Sequence, residues 1–328
     1  MVTEYAPSSD YSKYPGRSSL KETFDFIVKD LEQASNLVGI QGEAQSAYIT
    51  LDVVEALKAR VYLEMEDYQN AAAAAQGLIN SKRYTLISDG DAYKKMWLND
   101  VGTEAIWQFA MSKTETGSNA LGSSFMGIVD KLPRPSYLPV KSVLNLYDKE
   151  NDIRYDAYFT TGLIDRQVGD DIEVTYCSKW PGNPELYEGK SNNVNKLKAF
   201  RISEMYLIAA EAYAMLNQED KASEMLNELK KIRIKGWTET VYNGAALMQE
   251  IQDERVRELF AEGNRLFDMK RWKIGMKRSS SDAQRDDYLP ALGTDIEKEA
   301  TDNRWVWPIP KDEMDSNPQL KGQQNPGY

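Results

Sequence analysis

The sequence predicts a mostly α-helical fold with tetratricopeptide-like helix pairs, interrupted by an irregular, loop-rich insertion with a few short β-strands. Residues 51–80 and 200–233 carry apolar and small residues at helical spacing. Between them Gly, Pro, Ser, Thr and Asn become frequent, and the helical pattern is lost. We expect one domain, residues 1–328, in three parts: a helical scaffold with the first helix pair (18–81), the insertion as candidate ligand-binding region (82–199), and the second helix pair, a charged helix latch and the C-terminal tail (200–328).

The first predicted helix follows a polar, turn-rich lead-in that extends to Gly16. Ser19 and Glu22 are three residues apart, as in a capping box, where each side chain can accept a hydrogen bond from the backbone N–H of the other residue. The apolar face of the helix would consist of Leu20, Phe24, Ile27, Val28 and Leu31. This spacing predicts a helix that packs one stripe against the scaffold.

The two helix pairs share a sequence pattern at a constant offset of 151 residues. The matched residues are Ala59, Tyr62, Ala71 and Leu78 in the first pair, and Ala210, Tyr213, Ala222 and Leu229 in the second. Small residues at these spacings let neighbouring helices approach closely, as in tetratricopeptide units. We therefore expect two antiparallel helix pairs of the same kind.

The insertion offers only short stretches of predictable structure. Residues 105–109 and 172–176 have strand-like composition, and a short helix is expected around 142–147. Residues 114–124 are rich in Gly, Ser, Thr and Asn, and residues 279–303 are polar and expected to be loop. Trp107, Trp305 and Trp307 lie in apolar or Pro-flanked contexts and are expected to be core.

The composition excludes several functions. The net charge of -11 opposes a phosphate backbone, so nucleic acid is not expected as a partner. Histidine is absent, which removes Ser-His-Asp and Cys-His catalysis and His-ligated metals. The only cysteine, Cys177, excludes an internal disulfide and a thiolate zinc site. We expect no cofactor, no metal site and no catalytic residue.

The stretch at residues 254–272, ERVRELFAEGNRLFDMKRW, combines helical apolar spacing with dense mixed charge. Opposite charges at three- and four-residue spacings can pair along a helix, and Gly263 suits a left-handed helix end. We expect two short helices joined as a latch, whose structural residues are Glu254, Arg255, Arg257, Glu258, Glu262, Gly263, Arg265, Asp268 and Arg271. An acid/base pair formed by Glu258 and Glu262 is the alternative, but carboxylates flanked by arginines on one helix favour ion pairs.

Aromatic residues among Gly, Pro, Asp and Asn in residues 155–189 are the candidates for sugar binding. Sugar rings present apolar faces that stack on Trp and Tyr, while planar polar side chains bind the hydroxyl groups. The candidate ligand-binding residues are Trp180, Tyr187, Tyr158, Tyr176, Asn183 and Arg166. Trp180 and Tyr176 could instead fill the space beneath the loop, and the loop at 114–139 is the alternative location of the site.

Three segments in order resemble the SusD/RagB family of surface glycan-binding lipoproteins of Bacteroidetes. The first is FRISEMYLIAAEA at 200–212, the second is the charged stretch at 254–272, and the third is the C-terminal series WVWPIP, EMDSNP and QNPGY between 305 and 328. Asn264 departs from the family pattern, in which His or Gln often follows the Gly, and this puts one local contact in doubt.

The resemblance implies a SusD-like α-α superhelix and non-catalytic capture of a glycan or another nutrient at the outer-membrane surface. It also implies delivery to a TonB-dependent, SusC-like transporter. The chain resembles the last two-thirds of a typical member, so the family's N-terminal part, with its lipid-anchor cysteine, is expected to be missing from it. No apolar run approaches the roughly 18 residues that span a bilayer, so membrane contact is expected only through that anchor.

Two other classes remain open on the sequence. A tetratricopeptide-type scaffold would bind proteins and no sugar, and a carbohydrate-active hydrolase would turn over an oligosaccharide. The lack of a visible acid/base or nucleophile constellation disfavours the hydrolase.

Overall fold

A computed structural model describes residues 13–114, 122–129, 132–166, 169–187, 193–285 and 296–328, without the side chains of residues 128 and 129. The helices of this described part are α1 (Leu20–Leu37), α2 (Leu51–Glu64), α3 (Tyr68–Asn80), α4 (Gly90–Leu98), α5 (Ser123–Met126), α6 (Lys141–Leu144), α7 (Ile153–Tyr158), α8 (Ile202–Met215), α9 (Glu219–Arg233), α10 (Gly244–Glu258), α11 (Arg265–Arg271) and α12 (Lys311–Ser316). The mostly helical fold class is confirmed.

The strands form small antiparallel pairs. Their bounds are β1 (Ala105–Gln108), β2 (Ile128–Val129), β3 (Leu132–Pro133), β4 (Phe159–Ile164), β5 (Ile172–Cys177), β6 (Lys198–Arg201), β7 (Met276–Arg278) and β8 (Ile296–Lys298). Strand β1 pairs with β6, β2 with β3, β4 with β5, and β7 with β8. Each sheet of the described part has two strands, so the helices carry the architecture.

Helix α1 begins as the capping box predicts. The Ser19 hydroxyl oxygen accepts from the Glu22 backbone N–H at 3.1 Å, and the Glu22 carboxylate accepts from the Ser19 N–H at 2.8 Å. The predicted apolar stripe is only partly buried, because Leu31 is 8% exposed whereas Leu20 is 74% exposed. One face of α1 packs on α2, and its first turn faces solvent.

The two helix pairs repeat each other in structure at the offset that the sequence shows. Helices α2 and α8 have the same length, and each ends in a three-residue turn before the next helix, which makes its neighbour antiparallel. Within these turns Glu66 and Asn217 have φ values of 59° and 58°. The N–H of Asp67 donates to the Tyr62 carbonyl at 2.9 Å, and the equivalent bond in the second turn is 2.8 Å long. The predicted repeat is therefore confirmed at the level of the backbone.

The main core lies between these two pairs. Helix α3 packs on α8, α8 on α9, and α10 against both α8 and α9. Alanines at the contacts, among them Ala59, Ala71, Ala210 and Ala222, are completely buried. Where two helix backbones approach this closely, the space between them holds no side chain larger than the methyl group of alanine. The small residues therefore determine the distance between neighbouring helices.

A second core belongs to the insertion and is largely aromatic. Its buried members are Tyr93, Met96, Trp97, Leu144, Tyr147, Ala157, Tyr158, Phe159 and Trp180. Phe260 and Ala261, in the turn after α10, pack against it. A third, smaller cluster lies behind the β4–β5 hairpin and includes Ile164, Val174 and Tyr176. The insertion is thus packed onto the turn after α10.

Several elements of the insertion differ from the sequence prediction. Helix α4 was not predicted, and Tyr158 ends helix α7 instead of lying in irregular structure. The polar stretch 279–303 contains β8 in its described part. Trp307 is 79% exposed, so its assignment to the core is wrong, because the flanking prolines hold an extended segment on the surface.

Candidate functional site

The charged stretch of α10 and α11 lies at the centre of a buried ion network. Glu258 is completely buried and accepts from Arg201 at 2.8 Å and from Arg233 at 2.9 Å through one carboxylate oxygen. Its other oxygen accepts from Arg233 at 3.0 Å and from Arg154 at 3.1 Å. One carboxylate thereby joins β6, α7, α9 and α10.

The neighbouring carboxylates extend the network in two directions. Glu254 pairs with Arg154 and with Arg257 on its own helix. Glu262 accepts from Arg201 and, at 2.7 Å, from the Lys179 ammonium group. The network therefore ties the insertion to the helical scaffold.

Helix α11 is fastened by a second group of ion pairs. Asp268 accepts from Arg255 at 3.0 Å, while Arg271 pairs with Glu211 at 2.8 Å. Arg271 also pairs with Glu64 on α2. Arg265, at the start of α11, is exposed and lies over the Trp272 ring at 5.9 Å. The arrangement is that of a clamp between α2, α8, α10 and α11.

Two details of the predicted latch differ in the structure. Helix α10 ends at Glu258, and Glu262 lies in the following turn, so the two carboxylates are not successive turns of one helix. Gly263 has φ +87° within that turn and does not cap the helix directly. Most pairs run between elements, because the partners Arg154, Arg201 and Arg233 come from other parts of the chain.

The ionisation of these carboxylates leaves no general acid among them. Burial opposes the charge on Glu254, but the nearby Arg154 and Arg257 outweigh it and lower the pKa of Glu254 to about 2. Burial likewise opposes the charge on Glu258, and Arg233 and Arg201 hold its pKa well below the ordinary range. A general acid needs a raised pKa, so this network does not supply acid/base chemistry.

Lys179 provides a pH test of the network. Burial lowers the pKa of its ammonium group to about 8, although Glu262 opposes the shift. Because the unfolded value is about 10.4, the unfolded chain holds this proton more tightly. The free energy of unfolding should therefore rise as the pH increases from about 8 to about 10.

In a Lys179→Met variant the free energy of unfolding should not show the part of this increase with pH that comes from Lys179, since methionine has no proton to exchange. Urea titrations of both proteins across this pH range measure the difference. Identical pH profiles for the two proteins would contradict the argument. Tyrosine ionisation contributes equally to both profiles and cancels in the comparison.

The structure buries two of the predicted sugar-stacking rings completely. Trp180 is 2% exposed and Tyr158 is 0% exposed. The Trp180 ring packs edge-on against Trp97 at 5.1 Å, and its Nε1 donates to the Ala261 carbonyl at 3.2 Å. Both rings are packed inside the protein, although Trp180 also borders a cavity of about 300 Å³ beside Lys198 and Arg201, and the sugar-stacking role of the two rings stays a prediction.

The other predicted ligand residues are dispersed. Tyr176 is 7% exposed and packs behind the β4–β5 hairpin. Asn183 is 3% exposed, and its side-chain amide nitrogen donates to the Asp100 carboxylate at 2.9 Å. Its side-chain oxygen Oδ1 accepts a hydrogen bond from the backbone N–H of Glu185. Tyr187 and Arg166 are half-buried. No arrangement of these six residues forms one surface site, and their binding role stays a prediction.

A cleft beside the β4–β5 hairpin has the composition that sugar binding requires. Its volume is about 160 Å³, and it is lined by Ser136, Tyr137, Leu138, Pro139, Val140, Arg278, Ser279, Ala283, Gln284 and Ile296. Tyr137 is 60% exposed, so the ring has a solvent-facing surface. We call this feature the Tyr137 cleft.

Gln284 fixes one wall of the Tyr137 cleft. Its amide nitrogen donates to the carbonyls of Pro139 at 2.8 Å and Thr175 at 2.7 Å, and its amide oxygen accepts from the Thr175 N–H at 2.9 Å. This side chain therefore joins the segment that carries Tyr137 to strand β5. The cleft is held open by hydrogen bonds that are independent of any ligand.

The sequence analysis named residues 114–139 as the alternative location but did not single out Tyr137. Two features of the sequence could have indicated Tyr137. It lies between Pro135 and Pro139, close to Pro133, and the segment around it has no apolar periodicity. The second wall, on β7 and the turn after it, is about 140 residues away in sequence and could not be associated with Tyr137 by spacing.

A larger cavity, of about 720 Å³, lies between α1, α2 and α11. The arginine side chains in its walls are paired with carboxylates of the protein. Arg60 pairs with Glu204 at 2.7 Å, Arg271 pairs with Glu211, and Arg255 pairs with Asp268. Across the described ranges, no cluster of Cys, Asp and Glu could hold a metal ion. Nor does any helix described there have the length and apolar character needed to cross a membrane.

Comparison with known proteins gives consistent matches. A family model described as the SusD family matches residues 168–328. The SusD-like protein P38 of Formosa agariphila is 25% identical over 93% of this chain, and SusD-like protein P25 of the same organism is 22% identical over 79%. This chain spans 65% and 56% of the lengths of those two relatives.

Solved structures match over nearly the whole chain. The crystal structure of a SusD superfamily protein from Bacteroides thetaiotaomicron has a TM-score of 0.76 and 27% identity, covering 96% of this chain and 68% of that one. A Bacteroides vulgatus protein named for sugar binding has a TM-score of 0.75 and 25% identity, covering 100% and 69%. Together with the repeated helix pairs and the charged stretch, these matches show a SusD-like fold and a match to the SusD family over residues 168–328, the C-terminal part of the chain.

Proposed function

We propose that this chain binds a glycan without chemically altering it, and that the Tyr137 cleft contacts the sugar. The observation that carries the proposal is the exposed Tyr137 ring beside hydroxyl and guanidinium groups of Ser136, Ser279 and Arg278. An aromatic face with a few polar groups around it matches the alternating apolar faces and hydroxyl groups of a sugar. Similarity to the SusD family and to a solved structure named for sugar binding supports the same conclusion.

Several observations support binding without catalysis. The buried carboxylates of the ion network are committed to arginine and lysine partners. Burial raises the pKa of the Cys177 thiol to about 11, so the thiol is protonated at neutral pH and is a poor nucleophile. Histidine is absent from the whole sequence.

The cellular role that we propose is delivery of the glycan to a TonB-dependent, SusC-like transporter. We place the complete protein at the outer-membrane surface, held by a lipid anchor. These parts of the proposal rest on similarity to the SusD family alone. They concern the whole protein, and this chain spans 65% of its first curated relative.

The test is binding of a panel of soluble polysaccharides by affinity electrophoresis, followed by calorimetric titration of the best ligand. A Tyr137→Ala variant should bind that ligand at least about tenfold more weakly, as for an aromatic residue at the centre of an interface. The matched control is Tyr48→Ala, because Tyr48 is 77% exposed and lies outside the cleft. Melting curves of both variants should match the parent.

Equal affinity of parent and Tyr137→Ala would place the site elsewhere. Failure to bind any polysaccharide, with a normal melting transition, would instead favour the protein-interaction scaffold. Sustained release of reducing sugar that a single carboxylate substitution abolishes would refute the non-catalytic part of the proposal.

A further inference from the structure

The Tyr137 cleft has an unusual charge for a protein as acidic as this one. Among the described residues that line it, Arg278 is the only charged one. Arg278 is exposed at the end of β7, and its guanidinium group makes no hydrogen bond or ion pair within the described part of the chain. An arginine that serves folding is normally paired, as the buried arginines of the ion network are. Arg278 is therefore available to a ligand.

The described acidic side chains near the cleft already have hydrogen-bond or ion-pair partners within the protein. The Asp282 carboxylate accepts from the Ser142 N–H at 2.7 Å and from its hydroxyl group at 2.6 Å. Glu297 pairs with Lys277 on the adjacent strand, and Asp165 pairs with Arg134. None of the described residues that line the cleft is a carboxylate. An anionic ligand would therefore meet no carboxylate on the described part of its walls.

A second cation lies at the edge of the cleft. The Lys141 ammonium group donates to the Ser281 carbonyl at 3.3 Å, next to Asp282. Among the described residues at the cleft, Arg278 and Lys141 thus supply two positive charges against the one negative charge of Asp282, although the whole chain has a net charge of -11. At physiological ionic strength charges are screened beyond about 8 Å, so the groups around the cleft dominate over the distant surface.

We propose that the Tyr137 cleft selects an acidic glycan, whose uronate or sulfate group binds Arg278 while the sugar ring stacks on Tyr137. The planar guanidinium fork matches the two oxygens of a carboxylate or sulfate group and binds them more strongly than a neutral hydroxyl. This inference rests on the proposed function, because it assigns the ligand class of the same cleft. A neutral glycan would use the tyrosine and the hydroxyl groups but would leave Arg278 unpaired.

The experiment compares acidic polysaccharides with neutral forms of the same backbone. Polygalacturonate and alginate are paired with their carboxyl-reduced forms, and carrageenan is paired with its desulfated form. The carboxylate and sulfate arms distinguish the two kinds of anionic group. The parent should bind at least one acidic polymer about tenfold more tightly than its neutral partner, and raised salt should reduce this preference.

Three variants test which residue causes the preference for the acidic polymer over its neutral form. Arg278→Gln should abolish the preference, because it should weaken binding of the acidic form about tenfold more than binding of the neutral form, and Tyr137→Ala should weaken binding of both forms. Lys277→Gln is the matched control, because it removes the same charge from the neighbouring residue, which points to the opposite face of β7 and pairs with Glu297. This control should retain the preference.

The outcomes separate this inference from the proposed function. If the parent binds neutral polysaccharides through Tyr137 but prefers no acidic form, the acidic inference is overturned and the proposed function stands. If Arg278→Gln and Lys277→Gln lower the preference equally, the effect is general charge and the inference is also overturned. If no polysaccharide of either kind binds, both fail.

Discussion

Replacing Glu258 with Gln should lower the free energy of unfolding by about 3–5 kcal/mol, the range for a buried ion pair that loses one partner. The substitution keeps the size of the side chain but removes the only charge that Arg201, Arg233 and Arg154 share at this point. The three guanidinium groups are buried and cannot exchange the lost partner for water. Chemical denaturation monitored by tryptophan fluorescence measures the loss.

The same variant should respond differently to acid. The folded pKa of Glu258 lies well below the ordinary value of about 4.3, so its contribution is present above that value and is lost as the pH falls through the folded pKa. The Gln variant should lack this part of the acid sensitivity. Glu224→Gln is the control, because it removes an exposed carboxylate from α9 and should change stability by no more than about 0.5 kcal/mol.

A Glu258→Gln protein that melts like the parent but no longer binds glycan would contradict the structural role. The ion network would then belong to a binding site that opens in solution. Stability and binding should be lost together only if binding is measured near or above the melting transition of the variant, where the protein is unfolded. Measuring binding well below that transition therefore keeps the two readouts separate.

Replacing Trp180 with Ala should also cost about 3–5 kcal/mol of stability, as large aromatic truncations in cores do. The ring is 2% exposed, packs against Trp97 and lies 5.7 Å from the Lys198 ammonium group. Its removal leaves a cavity between the aromatic core of the insertion and the turn after α10. Thermal and urea unfolding of the variant measure the cost.

The control for this substitution is Trp307→Ala, which removes the same side chain from a position that is 79% exposed. Its stability should change by no more than about 0.5 kcal/mol. If Trp180→Ala melts like the parent and loses glycan affinity, the original sugar-stacking prediction for Trp180 holds and the packing argument fails. A large loss of stability identifies Trp180 as a core residue.

The helix pairs could be predicted because their information is local. Apolar and small residues recur at helical spacing, and positions such as Ala59 and Ala210 are buried in the structure as the pattern requires. The capping box at Ser19 is equally local, since two residues three positions apart define it. Such features need no knowledge of the rest of the chain.

The sites in the insertion could not be predicted in this way. Trp180 and Tyr137 both occur among Gly, Pro and polar residues, yet one is 2% and the other 60% exposed. Without periodicity, composition does not indicate which side of a segment faces the core. The pairs of the ion network could not be predicted either, because Arg154 and Glu258 are 104 residues apart and only the folded chain brings them together.

The pairing of β1 with β6 has a consequence for how such a protein can evolve. The backbone N–H of Phe109 donates to the Leu197 carbonyl at 2.9 Å, so the chain leaves the helical scaffold and returns to it at one place. The entropy of closing a loop grows only with the logarithm of its length, by about 0.6 kcal/mol for each doubling. The segment between these residues can therefore change in length at little entropic cost, provided that it keeps Arg154 and Lys179, which pair with Glu258 and Glu262 of the ion network. Its loops can vary in length while these two anchors and the helix pairs stay the same.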